Sequence, residues 1–466
     1  MRRSVLLALV VAMALPATAQ AERFATVETF SGDLHVLGDG VAWSQIRCLR
    51  DCVAFPVERE NLSRFMLKGA TDGRPDELAR ARLSHFPGGS NSTLETIRYA
   101  ASTEYLARLF QAERNTGDVL SQETVLSAGP LRGPLSELVT CGVHNLPAAI
   151  DGDRLAYDES VCSAGSTNIV VRSLAGGGTA TVPVQGRFVM GLALAGDFLA
   201  VAARDPQEDP QAGPPTGAIT VWNWTTGEKL SEALLGPGVV LPLVEVTGTG
   251  TAAFLSAGPT CEDGRLSLLD PGASSLREVA TGVCASMSWT GTQMSMSWNG
   301  SEIVVRRSAE LVAIAPDGGE RSLVEHGAVT LSDFAEDGAR LAYALPTCGG
   351  DTTIERIALD SSADDVGTAG CQFTIPRQRL EMNARKRVRL RLNCKHGCAG
   401  TARFRGFGVK FFEQDARRGS IALRVPKRLA RRVLRRGAVR RSVVVETADR
   451  AGRPRAKRRS VRIVRR

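Results

Sequence analysis

Short apolar segments with alternating polar positions, most of them following a glycine-bearing turn, recur along the first three-quarters of the chain. The stretch DGDRLAY from Asp151 returns as DGARLAY from Asp337, 186 residues later. An Asp-Gly pair forms a tight turn that accepts a positive φ, and the alternation after it predicts a half-buried strand. Equivalent strand phrases begin at Gly38, Ile97, Asp151, Ala195, Gly248, Thr290 and Asp337. One structural unit is therefore predicted to repeat about every 40 to 60 residues, and the two twins are four units apart.

Each unit also carries a second strand pair behind the first. It is visible as two apolar stretches separated by turn-forming residues, in segments that begin at Thr167, Gly217, Gly264 and Ala309. One unit is thus predicted to be a four-stranded antiparallel sheet, which cannot bury both faces alone. About seven such sheets around an axis can, and few strand edges then stay exposed.

The predicted fold class is therefore all-β. Residues 22–371 are predicted to form a β-propeller of about seven blades. Six or eight blades stay open for two reasons. Residues 54–96 fit no blade cleanly, and residues 286–308 contain a strand phrase without an Asp-Gly turn.

The units resemble the β-propeller repeats of TolB-type and Trp-Asp-repeat proteins. The resemblance is carried by the Asp-Gly-x-Arg-Leu-Ala-Tyr phrase and by a following strand that ends in VWNWTTG, and it covers about residues 24–371. It implies a propeller fold. It is weak for function, because such propellers serve as binding platforms, scaffolds and occasionally enzymes.

The N-terminus has the organisation of a secretory signal peptide. Arg2 and Arg3 precede an apolar run from Val5 to Leu15, and small residues follow at Ala19 and Ala21. Residues 1–21 are therefore predicted to be removed on export, which predicts a secreted, extracellular or cell-envelope protein. No later stretch approaches the roughly 18 apolar residues of a membrane-spanning helix, so no span is expected in the mature chain.

Ten cysteines fit an exported protein, since paired thiols persist in oxidising compartments. Neighbours in sequence are separated by 4, 21, 23, 23 and 4 residues. Connectivity is not fixed by sequence, and pairing in order is the hypothesis. The pairs would be Cys48–Cys52, Cys141–Cys162, Cys261–Cys284, Cys348–Cys371 and Cys394–Cys398.

Strand phase predicts that the three longer bridges repeat one event on one rim of the disc. Cys162, Cys261 and Cys348 are each expected after a second strand, and Cys141, Cys284 and Cys371 after a fourth. Zinc is the alternative at Cys394-Lys-His-Gly-Cys398, although this segment offers only two sulfurs and one His.

The composition changes abruptly after Cys371. Residues 372–466 contain 31 Lys and Arg against 5 Asp and Glu, a net charge of +26, whereas the rest of the chain carries 27 against 44, a net charge of −17. Alternating cationic and apolar positions predict strands on both sides of a Cys394–Cys398 hairpin and again near the C-terminus. A helix is predicted between Pro426 and Gly437, with Leu429, Val433 and Leu434 on its buried face. We predict a small β-sandwich that resembles the immunoglobulin-like modules of secreted bacterial propellers.

A dense basic face attracts polyanions because binding releases their counterions. The residues proposed for such binding are Arg417, Arg418, Lys427, Arg428, Arg431, Arg432, Arg435, Arg436, Lys457, Arg458 and Arg459. The ligand class would be an anionic cell-wall polymer or an acidic glycan. Nucleic acid is disfavoured, since the aromatic residues Phe404, Phe407, Phe411 and Phe412 form no RNA-recognition motif. The alternative to polyanion binding is that this arginine-rich surface is only solvated, or that it packs against the acidic propeller of the same chain.

Candidates for catalysis or ligand binding are few. None of the five His lies in a zinc-protease helix, and no Gly-x-Ser-x-Gly or phosphate-binding glycine loop occurs. His144 is interpreted as a loop residue, and Asp151, Asp153, Glu336 and Asp337 as turn residues that bond their own backbone. Two further alternatives are weaker: a calcium loop at Asp205, Glu208 and Asp209, and a sugar-stacking surface at Trp222 and Trp224.

These observations favour an exported, non-catalytic binding or scaffolding protein. Its partner is expected to be an extracellular or envelope protein or glycan, and no cofactor, metal or catalytic residue is assigned. Two alternatives stay open. One is a propeller hydrolase or lyase acting on glycans or lactones, and the other is a cell-wall polyanion-binding protein that acts through the basic module.

Overall fold

The computed structural model of the chain describes a defined set of residues, to which all structural statements refer. They are 22–27, 30–50, 59–88, 91–116, 119–142, 146–159, 162, 168–184, 187–205, 216–237, 240–257, 263–284, 287–288, 291–292, 296–307, 310–324, 330–332, 338–346, 352–360, 373–394, 398–408, 410–414, 418–448 and 454–465. The predicted signal peptide lies outside them. The regular structure of these residues is almost entirely β-strand.

The N-terminal part forms a ring of antiparallel sheets. Its first strand is β1 (Glu22–Val27). Blade 1 consists of β2 (Phe30–Leu37), β3 (Gly40–Arg50), β4 (Arg59–Lys68) and β5 (Asp76–Gly88). Blade 2 consists of β6 (Asn91–Ala101), β7 (Tyr105–Thr116), β8 (Val119–Pro130) and β9 (Ser136–Cys141). Blade 3 consists of β10 (Ala148–Asp151), β11 (Arg154–Asp158), β12 (Asn168–Ser173) and β13 (Thr179–Pro183).

Four more blades follow in chain order. Blade 4 consists of β14 (Phe188–Ala195), β15 (Phe198–Arg204), β16 (Gly217–Asn223) and β17 (Glu228–Leu235). Blade 5 consists of β18 (Val240–Val246), β19 (Ala252–Ala257), β20 (Arg265–Leu269) and β21 (Arg277–Thr281). A short hairpin comes next, β22 (Met287–Ser288) and β23 (Gly291–Thr292). Blade 6 consists of β24 (Met296–Trp298), β25 (Ile303–Arg307), β26 (Glu310–Ile314) and β27 (Glu320–Val324). Blade 7 consists of β28 (Thr330–Leu331), β29 (Arg340–Pro346) and β30 (Thr352–Ala358).

The ring closes through the N-terminal strand. β1 pairs antiparallel with β30, Val27 opposite Thr352, and so supplies the fourth strand of blade 7. The first strand of blade 1, β2, lies against β28 and β29 of blade 7 on one side and β6 of blade 2 on the other. The fold class is confirmed: the described residues form an all-β propeller, and their strands make up seven blades.

Every blade buries both of its faces. Successive residues of a central strand point to opposite neighbours, so Leu199 and Val201 pack against blade 3, and Ala200 and Ala202 pack against blade 5. An apolar core of this kind lies between each of the seven pairs of adjacent blades. Two-sided burial explains why the second strands are continuous apolar runs rather than strict alternations.

The twin phrases occupy the same position in two blades. β11 is the second strand of blade 3, and β29 is the second strand of blade 7. Leu155 and Tyr157 face blade 2, and Leu341 and Tyr343 likewise face the preceding blade 6. The repeated phrase therefore encodes one strand with one packing partner.

The two segments that fitted no blade are now assigned. The first contains β4 and β5, which are the long outer strands of blade 1, and the end of β5 pairs with the start of β6, so that blades 1 and 2 form one eight-stranded sheet. The second holds the short hairpin and the first two strands of blade 6. There an Asn299-Gly300 turn replaces Asp-Gly, with Gly300 at a φ of 94° and the Asn299 Oδ1 accepting the N–H groups of Ser301 and Glu302.

Two of the expected disulfides lie within the described residues. Cys141–Cys162 joins the end of blade 2 to the loop after β11 of blade 3, and Cys394–Cys398 closes its short turn as a disulfide. Cys284 is also disulfide-bonded. Cys52, Cys261, Cys348 and Cys371 lie outside the described residues, as does the side chain of Cys48.

The expected strand phase is wrong for one of the six cysteines of the three longer bridges, and two of these bridges involve residues outside the described ones. Cys371 follows a third strand, β30, because the fourth strand of blade 7 comes from the N-terminus. Cys261 and Cys284 flank the last two strands of a single blade, whereas Cys141–Cys162 connects two blades. Equal spacing in sequence therefore arose from different positions in the fold.

The C-terminal part is a β-sandwich with one helix. Its elements are β31 (Phe373–Thr374), β32 (Arg379–Met382), β33 (Arg387–Cys394), β34 (Cys398–Phe404), β35 (Lys410–Gln414), β36 (Arg418–Arg424), α1 (Lys427–Arg436), β37 (Ala438–Ala448) and β38 (Pro454–Arg465). One sheet has the order β31-β33-β36 and the other β32-β38-β37-β34-β35. The two sheets and α1 enclose a core of their own, which includes Leu390, Phe404, Val433 and Ile463. Within the described chain, no helix has the length and apolar character that crossing a membrane requires.

Two sequence expectations for the sandwich are wrong. The strands on either side of the Cys394–Cys398 turn do not form a hairpin, because β33 pairs with β36 whereas β34 pairs with β35 and β37. Both cysteines are buried, so the chain changes sheets at the edge of the core. Leu434 is 47% exposed, because the stripe that α1 buries consists of Leu429, Ala430 and Val433.

Candidate functional site

The helix of the sandwich presents a continuous cationic face. Its ten residues include six cations at i, i+1, i+4, i+5, i+8 and i+9, a spacing that places them on one side. All six are exposed: Lys427, Arg428, Arg431, Arg432, Arg435 and Arg436. In the part of the chain that the structure describes, no carboxylate forms an ion pair with any of them. Their charge is therefore available to a ligand.

The five-stranded sheet carries further exposed cations on its outer face. Arg440 of β37 lies directly opposite Arg462 of β38, and Arg379 of β32 flanks Arg462 on its other side. All three side chains are exposed, while Val461 and Ile463 of the same strand point into the core. Three strands thus bring cations together that are up to 83 residues apart in sequence.

Further along these strands the outer face contains a groove of about 510 Å³. Val444 of β37 forms its floor opposite Arg458 of β38, and Arg403 of β34 lies on the other side of Val444. The turn after β34 completes the wall. The lining residues are Arg403, Arg405, Gly406, Phe407, Gly408, Val444 and Arg458.

Contacts within the groove fix two of its walls. Arg403 Nη2 is 2.6 Å from Glu446 Oε1. The guanidinium of Arg441 lies 5.7 Å from the centre of the Phe407 ring and donates a hydrogen bond to the Arg405 carbonyl oxygen at 3.2 Å. The turn is held to the sheet by the Arg405 N–H, which donates to the Ser442 carbonyl oxygen at 3.0 Å. The side chains of Arg405 and Arg458 are exposed and form no ion pair among the described residues.

The structure places the sequence-predicted cations in several different environments. The six of α1 form the face described above, and Arg458 lines the groove. Lys457 is engaged within the sandwich, because its Nζ donates to the Phe373 carbonyl oxygen at 2.7 Å and lies 5.2 Å from the Phe373 ring centre. Arg459 is half-buried, Arg418 lies in β36, and Arg417 lies outside the described residues.

Sequence reasoning missed five cations of this surface, Arg379, Arg403, Arg405, Arg440 and Arg462. They are isolated or paired in sequence and become neighbours only through cross-strand register. The alternation of basic and apolar residues was the available signal, since it already indicated that one sheet face was basic.

A second polar cluster lies between the inner strands of blades 1 and 2. A bulge at Gly32 and Asp33 interrupts the pairing of β2 with β3, and both residues have positive φ, 117° and 38°. The bulge turns the Asp33 carboxylate toward β6, where its Oδ2 accepts the Tyr99 N–H at 3.1 Å. His35 Nε2 lies 3.1 Å from the Tyr99 carbonyl oxygen. The two side chains thus bond both backbone groups of Tyr99.

This cluster perturbs the ionisation of its members. Burial raises the pKa of Asp33 to about 6, although His35, the Tyr99 amide, Arg98 and Ser44 all act in the opposite direction. Burial likewise raises the pKa of Tyr99 to about 12. The Tyr99 ring stacks on Phe65, with centroids 4.8 Å apart. Because Asp33 and His35 are bonded to backbone, we interpret the cluster as a joint between blades.

The remaining candidates have structural contacts. Asp151 Oδ2 accepts the N–H of Gly196 in the next blade at 2.7 Å, rather than bonding its own turn, and Asp153 accepts from Ser173 at 2.6 Å. Asp205 bonds Arg187 and Thr216. Trp222 and Trp224 are buried between blades 3 and 4, as the core interpretation required. His144, Glu208, Asp209, Glu336 and Asp337 lie outside the described residues.

No protein-family model matches the chain. No curated protein matches it significantly in sequence.

Solved structures are similar to the chain at low identity and with TM-scores below 0.5. An acylaminoacyl peptidase from Pyrococcus horikoshii is 9% identical, with a TM-score of 0.41 over 76% of this chain and 58% of the peptidase, so this chain spans less than two thirds of that protein. The β-propeller domain of the Trilobed protease from Pyrococcus furiosus is 11% identical, with a TM-score of 0.41 over 69% of this chain and 91% of the domain. Apo AztD from Citrobacter koseri is 12% identical, with a TM-score of 0.35 over 78% and 99%. These similarities concern the fold alone.

Proposed function

We propose that this chain is an exported, non-catalytic binding protein that is held to an anionic polymer by its C-terminal sandwich. The observation that carries the proposal is the solvent-facing row of six cations on α1, which has no carboxylate partner in the described part of the chain. The propeller serves as the platform that presents loops to a protein or glycan partner. Export is supported by the signal-like N-terminus and by the disulfides.

The charge distribution supports a polymeric ligand over a small one. The six exposed cations of α1 and the exposed row Arg379, Arg440 and Arg462 place nine cations on the sandwich, more contacts than one small anion can make. A polymer gains affinity by releasing a counterion at each contact, so its binding weakens linearly with the logarithm of salt concentration.

A charge-matched pair of variants of the full oxidised chain tests the proposal. The first variant is Arg428→Gln/Arg432→Gln/Arg436→Gln, which removes one line of the helix face and keeps good helix formers. The control is Arg387→Gln/Arg389→Gln/Arg391→Gln, which removes the same charge from the outer face of the three-stranded sheet, where these residues alternate with buried ones.

Binding to sodium polyphosphate and to polygalacturonate is measured across a salt series. We expect the helix variant to reduce the slope of log K against log salt by about 2 to 3, which corresponds to three lost contacts, and the β33 variant to reduce it by less than 1. Equal effects would mean that the polymer senses net charge alone. If the wild-type chain fails to bind either polymer at about 0.15 M salt, an ionic strength at which the Debye length is roughly 8 Å, the proposed function is wrong.

A further inference from the structure

The groove on the outer sheet face differs from the rest of the positive surface in its geometry. Its guanidinium groups come from three separate backbone positions, Arg403 on β34, Arg405 in the turn that follows, and Arg458 on β38. Val444 and Phe407 give it an apolar floor and side. The groove is therefore a concave place where cations converge, whereas the face of α1 is convex.

Convergence from three directions suits an anion with more than two acceptor positions. A carboxylate is planar and is satisfied by one guanidinium fork, whereas a tetrahedral oxyanion presents three or more oxygens that can accept from different sides. The glycines of the turn add to this fit. A Cβ at Gly406 or at Gly408 would meet no atom within 4 Å, so the space above both residues is open to a ligand.

An internal carboxylate already occupies one of the three arginines. Glu446 Oε1 binds Arg403, and its Oε2 accepts a hydrogen bond from the Thr401 hydroxyl at 3.3 Å. Glu446 lies next to the groove on β37, two residues beyond Val444, and so on the same face. It therefore competes with any bound anion for Arg403, and its negative charge lowers the affinity of the groove.

We propose that this groove is a discrete binding site for a single tetrahedral oxyanion, a phosphate or sulfate group, with Arg405 and Arg458 as its main ligands and Glu446 as a built-in competitor. The inference rests on the proposed anion-binding function of the sandwich, and it names the chemical group that this surface selects. Along β37, Val444 is the sixth residue after Ala438, which follows α1 and its C-cap Gly437. The groove thus lies about 20 Å from the end of the helix, too far for one small anion to contact both.

The test uses the full oxidised chain and inorganic phosphate at pH 8, where arginine stays protonated. Affinity is measured by isothermal titration calorimetry at low ionic strength, with sulfate and acetate as comparison anions. The variant Arg458→Gln is compared with Arg389→Gln, which removes an exposed cation from the opposite sheet. We expect saturable binding of phosphate and sulfate and not of acetate. Arg458→Gln should weaken it about tenfold, as loss of a charge-assisted contact predicts, and Arg389→Gln less than twofold.

A second pair of variants changes affinity in the opposite direction. Glu446→Gln frees Arg403 and is expected to tighten phosphate binding about three- to tenfold. The control Glu381→Gln removes an exposed carboxylate beside the far end of β38. It changes the net charge by the same amount as Glu446→Gln, and it should have little effect on phosphate affinity. Amide hydrogen exchange should show protection by phosphate within residues 403–408 and around Val444 and Arg458.

Three results would overturn the inference. They are the absence of saturable phosphate binding, equal losses in Arg458→Gln and Arg389→Gln, and equal gains in Glu446→Gln and Glu381→Gln. None of these depends on the polymer. If phosphate binding fails while the α1 variant still weakens polymer binding, the groove assignment is wrong and the proposed function stands. If neither ligand binds, both are wrong.

Discussion

Replacing Asp33 by Asn should change the pH dependence of propeller stability. Asp33 lies at a β-bulge with φ of 38°, and its carboxylate accepts the Tyr99 N–H from the next blade. Asn is the best isosteric replacement, because it tolerates a left-handed backbone conformation and keeps an oxygen acceptor. The substitution therefore removes the charge and leaves the geometry of the joint between blades 1 and 2.

The magnitude follows from the raised pKa of Asp33, about 6 against an ordinary 3.8. The folded state retains a proton that the unfolded state releases between these two values. The stabilisation that the retained proton on Asp33 provides is consequently complete below pH 3.8 and is lost as the pH rises to about 6. A shift of about two units corresponds to at most about 3 kcal/mol. Asp33 as a whole residue is partly exposed, so local rearrangement that hydrates its charged form should reduce the loss to about 1 to 2 kcal/mol.

The measurement is urea denaturation at pH 4, 5, 6, 7 and 8, monitored by tryptophan fluorescence. All five tryptophans precede residue 372, so the signal reports the propeller alone. Relative to wild type, Asp33→Asn should gain about 1 to 2 kcal/mol in the free energy of unfolding between pH 4 and pH 7. Asp39→Asn, at an exposed turn of the same blade, corrects for the change in net charge. A difference between Asp33→Asn and wild type that stays constant with pH, or that falls as pH rises, would refute the reasoning.

Two further predictions concern the propeller. Tyr343→Phe removes a hydroxyl that donates a hydrogen bond to the buried Glu355 at 2.8 Å, and urea denaturation should show that the free energy of unfolding falls by about 1 to 3 kcal/mol. Tyr157→Phe at the twin position should change it by less than about 0.5 kcal/mol. Equal losses in the two variants would contradict this account. The double variant Cys141→Ser/Cys162→Ser should lower the free energy of unfolding under oxidising conditions by about 3 kcal/mol, the usual contribution of a disulfide that closes a loop of this length. An unchanged denaturation midpoint would show that packing alone holds blades 2 and 3 together.

The propeller could be predicted from sequence because each of its second strands is locally encoded. The turn before β11 and β29 and the apolar run after it recur as one phrase. The closure of the ring could not be predicted, because β1 carries no phrase of its own and its partner β30 is distant in sequence. The long strands of blade 1 were missed for a related reason, since their ends extend into a sheet shared with blade 2 and break the usual spacing.

The cationic surface was predictable only where it is helical. The residues of α1 are contiguous in sequence, and the period of 3.6 residues assigns them to one face directly. The groove joins Arg403, Arg405 and Arg458 through the register of β34, β37 and β38. The register between these distant strands is set by the packing of Val443, Val445 and Val461 in the core. No local sequence pattern specifies which residues of two distant strands lie opposite each other.

The pairing of β1 with β30 also has a consequence for how the molecule is assembled. During synthesis β1 stays without its partner strand until the chain is about 330 residues longer, on the order of 20 to 60 seconds at ordinary rates of translation. During that time blade 7 does not exist, and β1 presents an unpaired edge that other chains can join. Once β1 and β30 pair, no blade is first or last, and the loss of the six residues of β1 would open the ring as surely as the loss of β30.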